Sequence, residues 1–227
     1  MTGDAPKRKP GAAPQVEPEH YRGREYDSLE RFVSYWHQAD LVLSSPCRRV
    51  LEIGVGNGFL VRYLERRGVE MASCDVDPRL RPSATADLAK GLPFRDAEFE
   101  GVACFEVLEH LPWERVPGAL DELGRVAGRN VFLSVPDVTP HYHVSFALPL
   151  VGTWRSTFTI PWTRAIPWRR PSEHRFDGEH HWELGKAGYS AGKFRDLLVE
   201  RFDIRRDFRS SHFPFHHFFL LTLRHGR

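Results

Sequence analysis

Three groups of residues in this chain have types and spacing suited to chemistry. The first is Glu52-Ile53-Gly54-Val55-Gly56-Asn57-Gly58, which joins the short apolar run Arg49-Val50-Leu51-Glu52-Ile53 to a segment of helical pattern. Glycines there permit a tight turn and a close approach of backbone to a ligand. Glu52 puts a carboxylate beside the turn, where it would repel a pyrophosphate held at the following helix N-terminus. The pattern is also Gly-x-Gly-x-Gly, not the Gly-x-Gly-x-x-Gly of dinucleotide folds. Asp75 follows at about the distance where an acidic residue meets a ribose. Its carboxylate can accept from both hydroxyls, at roughly 1.5–3 kcal/mol for each charged hydrogen bond. Asp87, in Ala86-Asp87-Leu88, offers a carboxylate to an adenine amino group.

S-adenosylmethionine (SAM) carries an ammonium and a sulfonium and no phosphate, so it fits these charges where a dinucleotide does not. Methyl transfer from it is an in-line displacement, eased by positioning and desolvation. An oxygen nucleophile also calls for a base. The second group, Glu106, Glu109 and His110, has the offsets of one helix face. Histidine is matched to neutral pH, so His110 is the predicted catalytic base. The bland reading keeps the group as a solvated or capping set beside packed Val107, Leu108 and Leu111. The third group follows the fifth strand. His141 and His143 precede Phe146, Trp154, Phe158, Trp162 and Trp168, mixed with Arg155, Arg164, Arg169 and Arg170. These suit a lid for an acidic, aromatic or lipid-linked acceptor, a small separate core, or peripheral contact with a membrane. Nucleic acid would use similar residues, but a formal net charge of +2 argues against it.

The elements that must position these groups can be read from the same rows. Residues 1 to about 20 carry Pro6, Pro10, Pro14 and Pro18 and bury little, so a disordered tail is predicted. Asp27-Ser28-Leu29-Glu30 reads as a capping box for a helix with Leu29, Phe32, Val33 and Trp36 at helical spacing, ending near Pro46. Strands are predicted at Arg49–Ile53, Val69–Asp75, Ala84–Asp87, Phe99–Phe105 and Asn130–Val135. Helices fall at Phe59–Arg67 and over most of Glu106–Ala127, with a break at Pro112. The rhythm fails from 137 to about 182. It returns with a helix near Gly192–Glu200 and strands at Phe202–Phe208 and Phe218–Arg224. Alternating strands and helices imply parallel βαβ units.

The 227 residues and 41% apolar content fit a single α/β domain, residues 21–227, with 137–182 as an inserted lid or substrate segment. The three cysteines form no Cys-x-x-Cys pair, which suits a reduced, cytoplasmic setting. No apolar run is long enough for a transmembrane helix.

VLEIGVGNG, CDVD, ADLAKGLPF, FEGVACFEVLEHLP and NVFLSVPD stand in the order and spacing of class I SAM-dependent methyltransferases. The chain resembles that family over about residues 48 to 137. The resemblance implies a Rossmann-like α/β fold with a seven-stranded, mostly parallel sheet of order 3-2-1-4-5-7-6 and an antiparallel last strand. It implies that Gly54, Gly56 and Gly58 approach the methionine part of SAM, with Glu52 supporting that end. Asp75 would hold the ribose with Val76 beside the adenine, Asp87 and Leu88 would bind the adenine edge, and Phe105 would lie under the cofactor. Glu-x-x-Glu-His also resembles a metal-binding stretch of some O-methyltransferases, which a later histidine such as His174, His180 or His181 would complete. The same motif occurs in members with no metal, and none is predicted here. His181-Trp182-Glu183-Leu184-Gly185 loosely resembles a segment of bacterial small-molecule methyltransferases. The expected activity is methyl transfer from SAM to oxygen of a small-molecule or lipid-linked acceptor. A catalytically silent SAM-binding protein would show the same glycines. A dinucleotide oxidoreductase is disfavoured by Glu52 and the glycine pattern.

Overall fold

Apolar runs bounded by glycine and proline become the strands of one twisted sheet. The computed structural model describes residues 16–148, 152–159, 171–176 and 178–224. Its strands are β1 (Arg49–Ile53), β2 (Glu70–Asp75), β3 (Ala84–Thr85), β4 (Phe99–Phe105), β5 (Ala127–Pro136), β8 (Phe202–Arg209) and β9 (His216–Leu223), with β6 (His141–Leu148) and β7 (Gly152–Thr159) apart from them. The seven-stranded sheet runs β3-β2-β1-β4-β5-β9-β8. Strands β1 to β5 pair in parallel, and β9 runs antiparallel to both of its neighbours. This is the order the resemblance implied. The chain winds outward from β1 in one direction and from β4 in the other. A crevice therefore opens at their carboxyl ends, where ligands bind in open α/β sheets.

Helices α1 (Leu29–Leu43), α2 (Phe59–Arg66), α3 (Val116–Val126) and α4 (Ala191–Val199) cover the faces. Leu41, Val42, Leu60, Leu64, Phe105, Phe132 and Phe218 form the core under α1 and α2. Leu51, Val102, Leu120, Leu123, Phe194, Phe219 and Leu221 form the core under α3 and α4. Among the described residues no helix is long and apolar enough to cross a membrane.

Four local expectations are corrected. Ser28, not Asp27, caps α1, accepting the Arg31 N–H at 3.2 Å. Leu29, Phe32 and Trp36, the stripe that marked this helix, are exposed, and Ser34, Tyr35, Gln38, Ala39, Leu41 and Val42 form its buried face. Glu106 does not begin a helix, because its φ of +53° is left-handed. Two 3-10 turns, Leu108–His110 and Trp113–Arg115, precede α3 instead. Finally, the aperiodic stretch after β5 contains the antiparallel pair β6–β7, a separate two-stranded sheet. Trp162, Arg164, Trp168, Arg169 and Arg170 fall outside the described residues, as do residues 1–15 of the expected tail. That tail's expected edge near residue 20 lies inside a 3-10 turn, Pro18–Arg22.

Candidate active site

The glycine turn sits at the carboxyl end of β1. Gly54 has φ +84° and donates its N–H to Cys74 O at 2.9 Å, which binds the turn to β2. A Cβ on Gly54 would stand 2.5 Å from Val107 Cγ2, so two reasons exclude a side chain. Gly58 is left-handed at φ +69° and opens α2. Gly56, also left-handed, lies under Tyr21 and Tyr26.

Two carboxylates flank the turn. Glu52 is buried, and its Oε2 has no hydrogen-bond partner among the described residues. Burial, and then the nearby Asp75 carboxylate, hold it well above the usual range. A buried acid in that state is relieved by a cation. Asp75 ends β2. Its Oδ2 accepts the Val55 N–H at 2.8 Å, and its Oδ1 accepts the Asp77 N–H at 2.8 Å. Burial raises this group, and those backbone bonds partly offset it. Each oxygen keeps a further lone pair for a ribose hydroxyl. Val76, beside it, is exposed.

The remaining predicted cofactor residues are placed less uniformly. The Ala86 N–H donates to Asp75 O at 3.0 Å, which brings the Asp87 stretch alongside β2. Asp87 caps a short turn through the Ala89 N–H at 2.9 Å and pairs with Lys90 at 3.0 Å. Leu88 and Phe105 are both buried, Leu88 in the core under α3 and Phe105 in the core under α1 and α2.

Across the crevice, the chain leaves β4 into a cluster of titratable groups. The left-handed backbone of Glu106 costs on the order of 1–3 kcal/mol, and its N–H is held by Ser134 O at 3.0 Å. Glu106 Oε2 lies 3.2 Å from His216 Nε2, and His216 Nδ1 lies 2.8 Å from Ser34 Oγ. Burial pushes His216 down to about 3, so its ring is neutral, and pushes Glu106 up to about 7. Glu109 is fully buried, and neither of its carboxylate oxygens has a hydrogen-bond partner among the described residues. Burial first, and Glu106 next, raise it well above its ordinary value. His110 Nδ1 lies 3.0 Å from Glu179 O. A carbonyl only accepts, so Nδ1 carries a proton. Glu109, His110 and His180 each bring a ligand atom within 4.8 Å of the others. Of the three later histidines, His180 is therefore the one that joins the acidic motif. His174 Nε2 donates to the His180 carbonyl at 2.9 Å, and the His181 ring stacks on Phe176. The segment is seated by the His181 N–H on Glu109 O at 2.8 Å and by Trp182 Nε1 on Leu111 O at 3.1 Å. His141 Nδ1 lies 3.4 Å from Arg209 Nη2.

Sequence reasoning missed His216, His217, Asp137 and Asp207. His217 Nδ1 donates to Asp137 Oδ2 at 2.8 Å and Nε2 donates to Asp207 Oδ1 at 2.6 Å. Arg195 pairs with Asp207, and Arg209 stands 3.7 Å from Asp137. This ionic cluster lies just past the end of β5, at Asp137. The available signal was the pair His216-His217 inside a phenylalanine-rich strand, since buried polar groups require partners.

Residues 51–135 match the family described as "Methyltransferase domain". The match covers the strands and the glycine turn of the site, and the strand order is the one that the resemblance to class I SAM-dependent methyltransferases implied. The chain's sequence is 30% identical over 128 residues to ubiquinone biosynthesis O-methyltransferase of Xylella fastidiosa (strain 9a5c), covering 41% of this chain and 51% of that one. The protein of the same name from Xanthomonas campestris pv. campestris (strain B100) is 27% identical over 175 residues, 61% of this chain and 70% of that one. The chain thus spans about half the length of the Xylella relative. Among solved structures, magnesium protoporphyrin IX methyltransferase from Synechocystis PCC 6803, with bound S-adenosylhomocysteine (SAH), shares the fold. Its TM-score is 0.53 at 19% identity, covering 86% of this chain and 83% of that one.

Proposed function

We propose that the chain binds SAM along the carboxyl ends of β1 and β2 and transfers its methyl group to an oxygen of a small-molecule or lipid-linked acceptor. The observation that carries this reading is the meeting of the glycine turn with the segment that leaves β4. Val107 lies against Gly54, so His110 stands three residues from the cofactor turn. Glu52, Gly54, Gly56, Gly58, Asp75, Val76, Asp87, Leu88 and Phe105 form the cofactor side. His110 takes the acceptor proton at Nε2, while the Glu179 carbonyl holds its tautomer. The names of the curated relatives support an oxygen acceptor on a small molecule. The inserted segment 137–182 serves the acceptor side. Incubating the pure protein and methyl-labelled SAM with a bacterial metabolite and lipid extract tests the reading. A labelled methyl ether is expected, and label on nitrogen or carbon, or none, overturns it.

A second reading is favoured by the convergence of Glu109, His110 and His180. A buried carboxylate with two unpartnered oxygens is costly unless it is protonated or meets a cation. These three residues would hold a divalent metal, which would act as a Lewis acid on the acceptor oxygen. Calorimetric titration with Mn²⁺ separates the readings. Heat that saturates in the wild type and vanishes in Glu109→Gln supports the metal, and no heat in either rejects it.

A further inference from the structure

The glycine turn is covered on its outer side by the chain that precedes α1. After the Pro18–Arg22 turn, the Tyr26 N–H closes on Gly23 O at 3.0 Å. This gathers His20, Tyr21 and Tyr26 edge to face, with ring centroids 5.3–5.4 Å apart. The cluster rests on Gly56. A Cβ built there would lie 3.5 Å from Tyr26 Oη and 3.8 Å from two ring carbons of Tyr21.

The segment is tied at both ends of the cofactor crevice. On the β2 side, Arg79 donates to Glu17 Oε2 at 2.6 Å and also grips Asp77, whose N–H binds the Asp75 carboxylate. On the glycine side, Asn57 Nδ2 donates to Asp27 Oδ1 at 3.2 Å. The Arg31 guanidinium lies 4.5 Å over the Tyr26 ring. Tyr21 is held above its ordinary value by burial, then by Tyr26 and Asp75, so its phenol stays neutral beside the ribose acid.

We propose that Tyr21 and Tyr26 are further cofactor-site residues, and that residues 17–27 form a strap that lifts to admit SAM and closes behind it. Aromatic faces favour a cationic ligand and exclude water from it. The ties explain how the strap is steered. One is anchored to the acid that takes the ribose, the other to the turn that takes the methionine end, so both report the cofactor's presence. The inference rests on the SAM reading above.

SAH serves as the probe. Stopped-flow release of SAH should be about tenfold faster in Tyr21→Ala, which removes a whole ring from the site. Glu17→Gln cuts only an exposed tie and should speed release by about two- to fivefold. SAH should also slow amide hydrogen exchange across residues 17–27 in the wild type. Wild-type release rates in both variants, or exchange at 17–27 indifferent to SAH, would overturn the strap while leaving the SAM reading intact. Failure of the wild type to bind SAH would overturn the SAM reading itself. If Tyr21→Ala does not fold, Glu17→Gln and the exchange measurement carry the test.

Discussion

Asp75 Oδ2 accepts the Val55 backbone N–H at 2.8 Å, so the acid that ends β2 also braces the glycine turn that follows β1. One residue thus shapes the turn and, in the proposed function, takes the ribose. Asp75→Ala should weaken SAM binding at least about tenfold, since a charged hydrogen bond is worth roughly 1.5–3 kcal/mol. It should also lower Tm by several degrees, because the Val55 and Asp77 amides lose their acceptor. Calorimetry and thermal unfolding measure the two losses separately. Unchanged affinity with a lowered Tm would make Asp75 a brace only.

Glu52 gives a pH test. Its carboxyl is held well above the usual range by burial and then by Asp75. Where it is protonated, binding the ammonium of SAH must expel that proton. Affinity should therefore strengthen as pH rises toward the raised value of the empty site, by up to about tenfold per pH unit, and level off above it. In Glu52→Gln the dependence should flatten. Titration in two buffers of different ionisation enthalpy counts the protons released. The same release in Glu52→Gln would assign it to another group.

The sheet order and the first site group were legible because parallel strands in this chain are short apolar runs, three of them (β1, β2 and β5) closed by glycine, aspartate or proline. Arg49–Ile53 and Phe99–Phe105 have the same bounds in sequence and structure. The turn from Glu106 to His110 was not legible. A helical pattern of Val107, Leu108 and Leu111 survives in the residue types, while a left-handed Glu106 leaves no mark in them. The face of α1 was hidden for a related reason. Ser34 and Gln38 are buried because Ser34 meets His216 and Gln38 meets Ser34, and His216 comes from the far end of the chain. Apolar spacing alone pointed to Leu29, Phe32 and Trp36.

His217 gives a stability test. Burial would lower its pKa, but the hydrogen bonds and charges of Asp137 and Asp207 outweigh burial and raise it. A group raised on folding contributes stability that is complete below its unfolded value, about 6.5, and is lost as pH rises through the folded one. Wild-type stability should therefore fall with pH from about 6.5 upward. His217→Asn should remove that slope and cost about 3 kcal/mol at pH 6, as when one partner of a buried ion pair is deleted. Urea unfolding from pH 6 to 9 is the measurement. A slope that persists in His217→Asn would show that another group titrates.

The proposed function makes His110 the base, on its position after β4 and on the Nδ1 contact with Glu179 O that orients its ring. General-base assistance is typically worth about 10²–10⁴ in rate. His110→Ala should lower kcat by about that factor and leave SAM affinity within about twofold, because His110 is not among the proposed cofactor residues. His110→Gln keeps a hydrogen-bonding group but cannot accept the proton at neutral pH, so it should not restore the rate. The rising limb of the wild-type pH–rate profile should disappear in both variants. The metal reading predicts a different pattern for the same residue. There EDTA would abolish wild-type activity, Mg²⁺ or Mn²⁺ would restore it, and Glu109→Gln would be as inactive as His110→Ala because both would have lost a ligand. The base reading expects EDTA to leave the rate unchanged. It also expects Glu109→Gln to retain most of its turnover, since a neutral side chain there replaces an acid that burial, and then Glu106, hold well above the usual carboxylate range. If His110→Ala and His110→Gln both turn over normally and EDTA has no effect, positioning and desolvation alone drive the transfer and His110 has no chemical role.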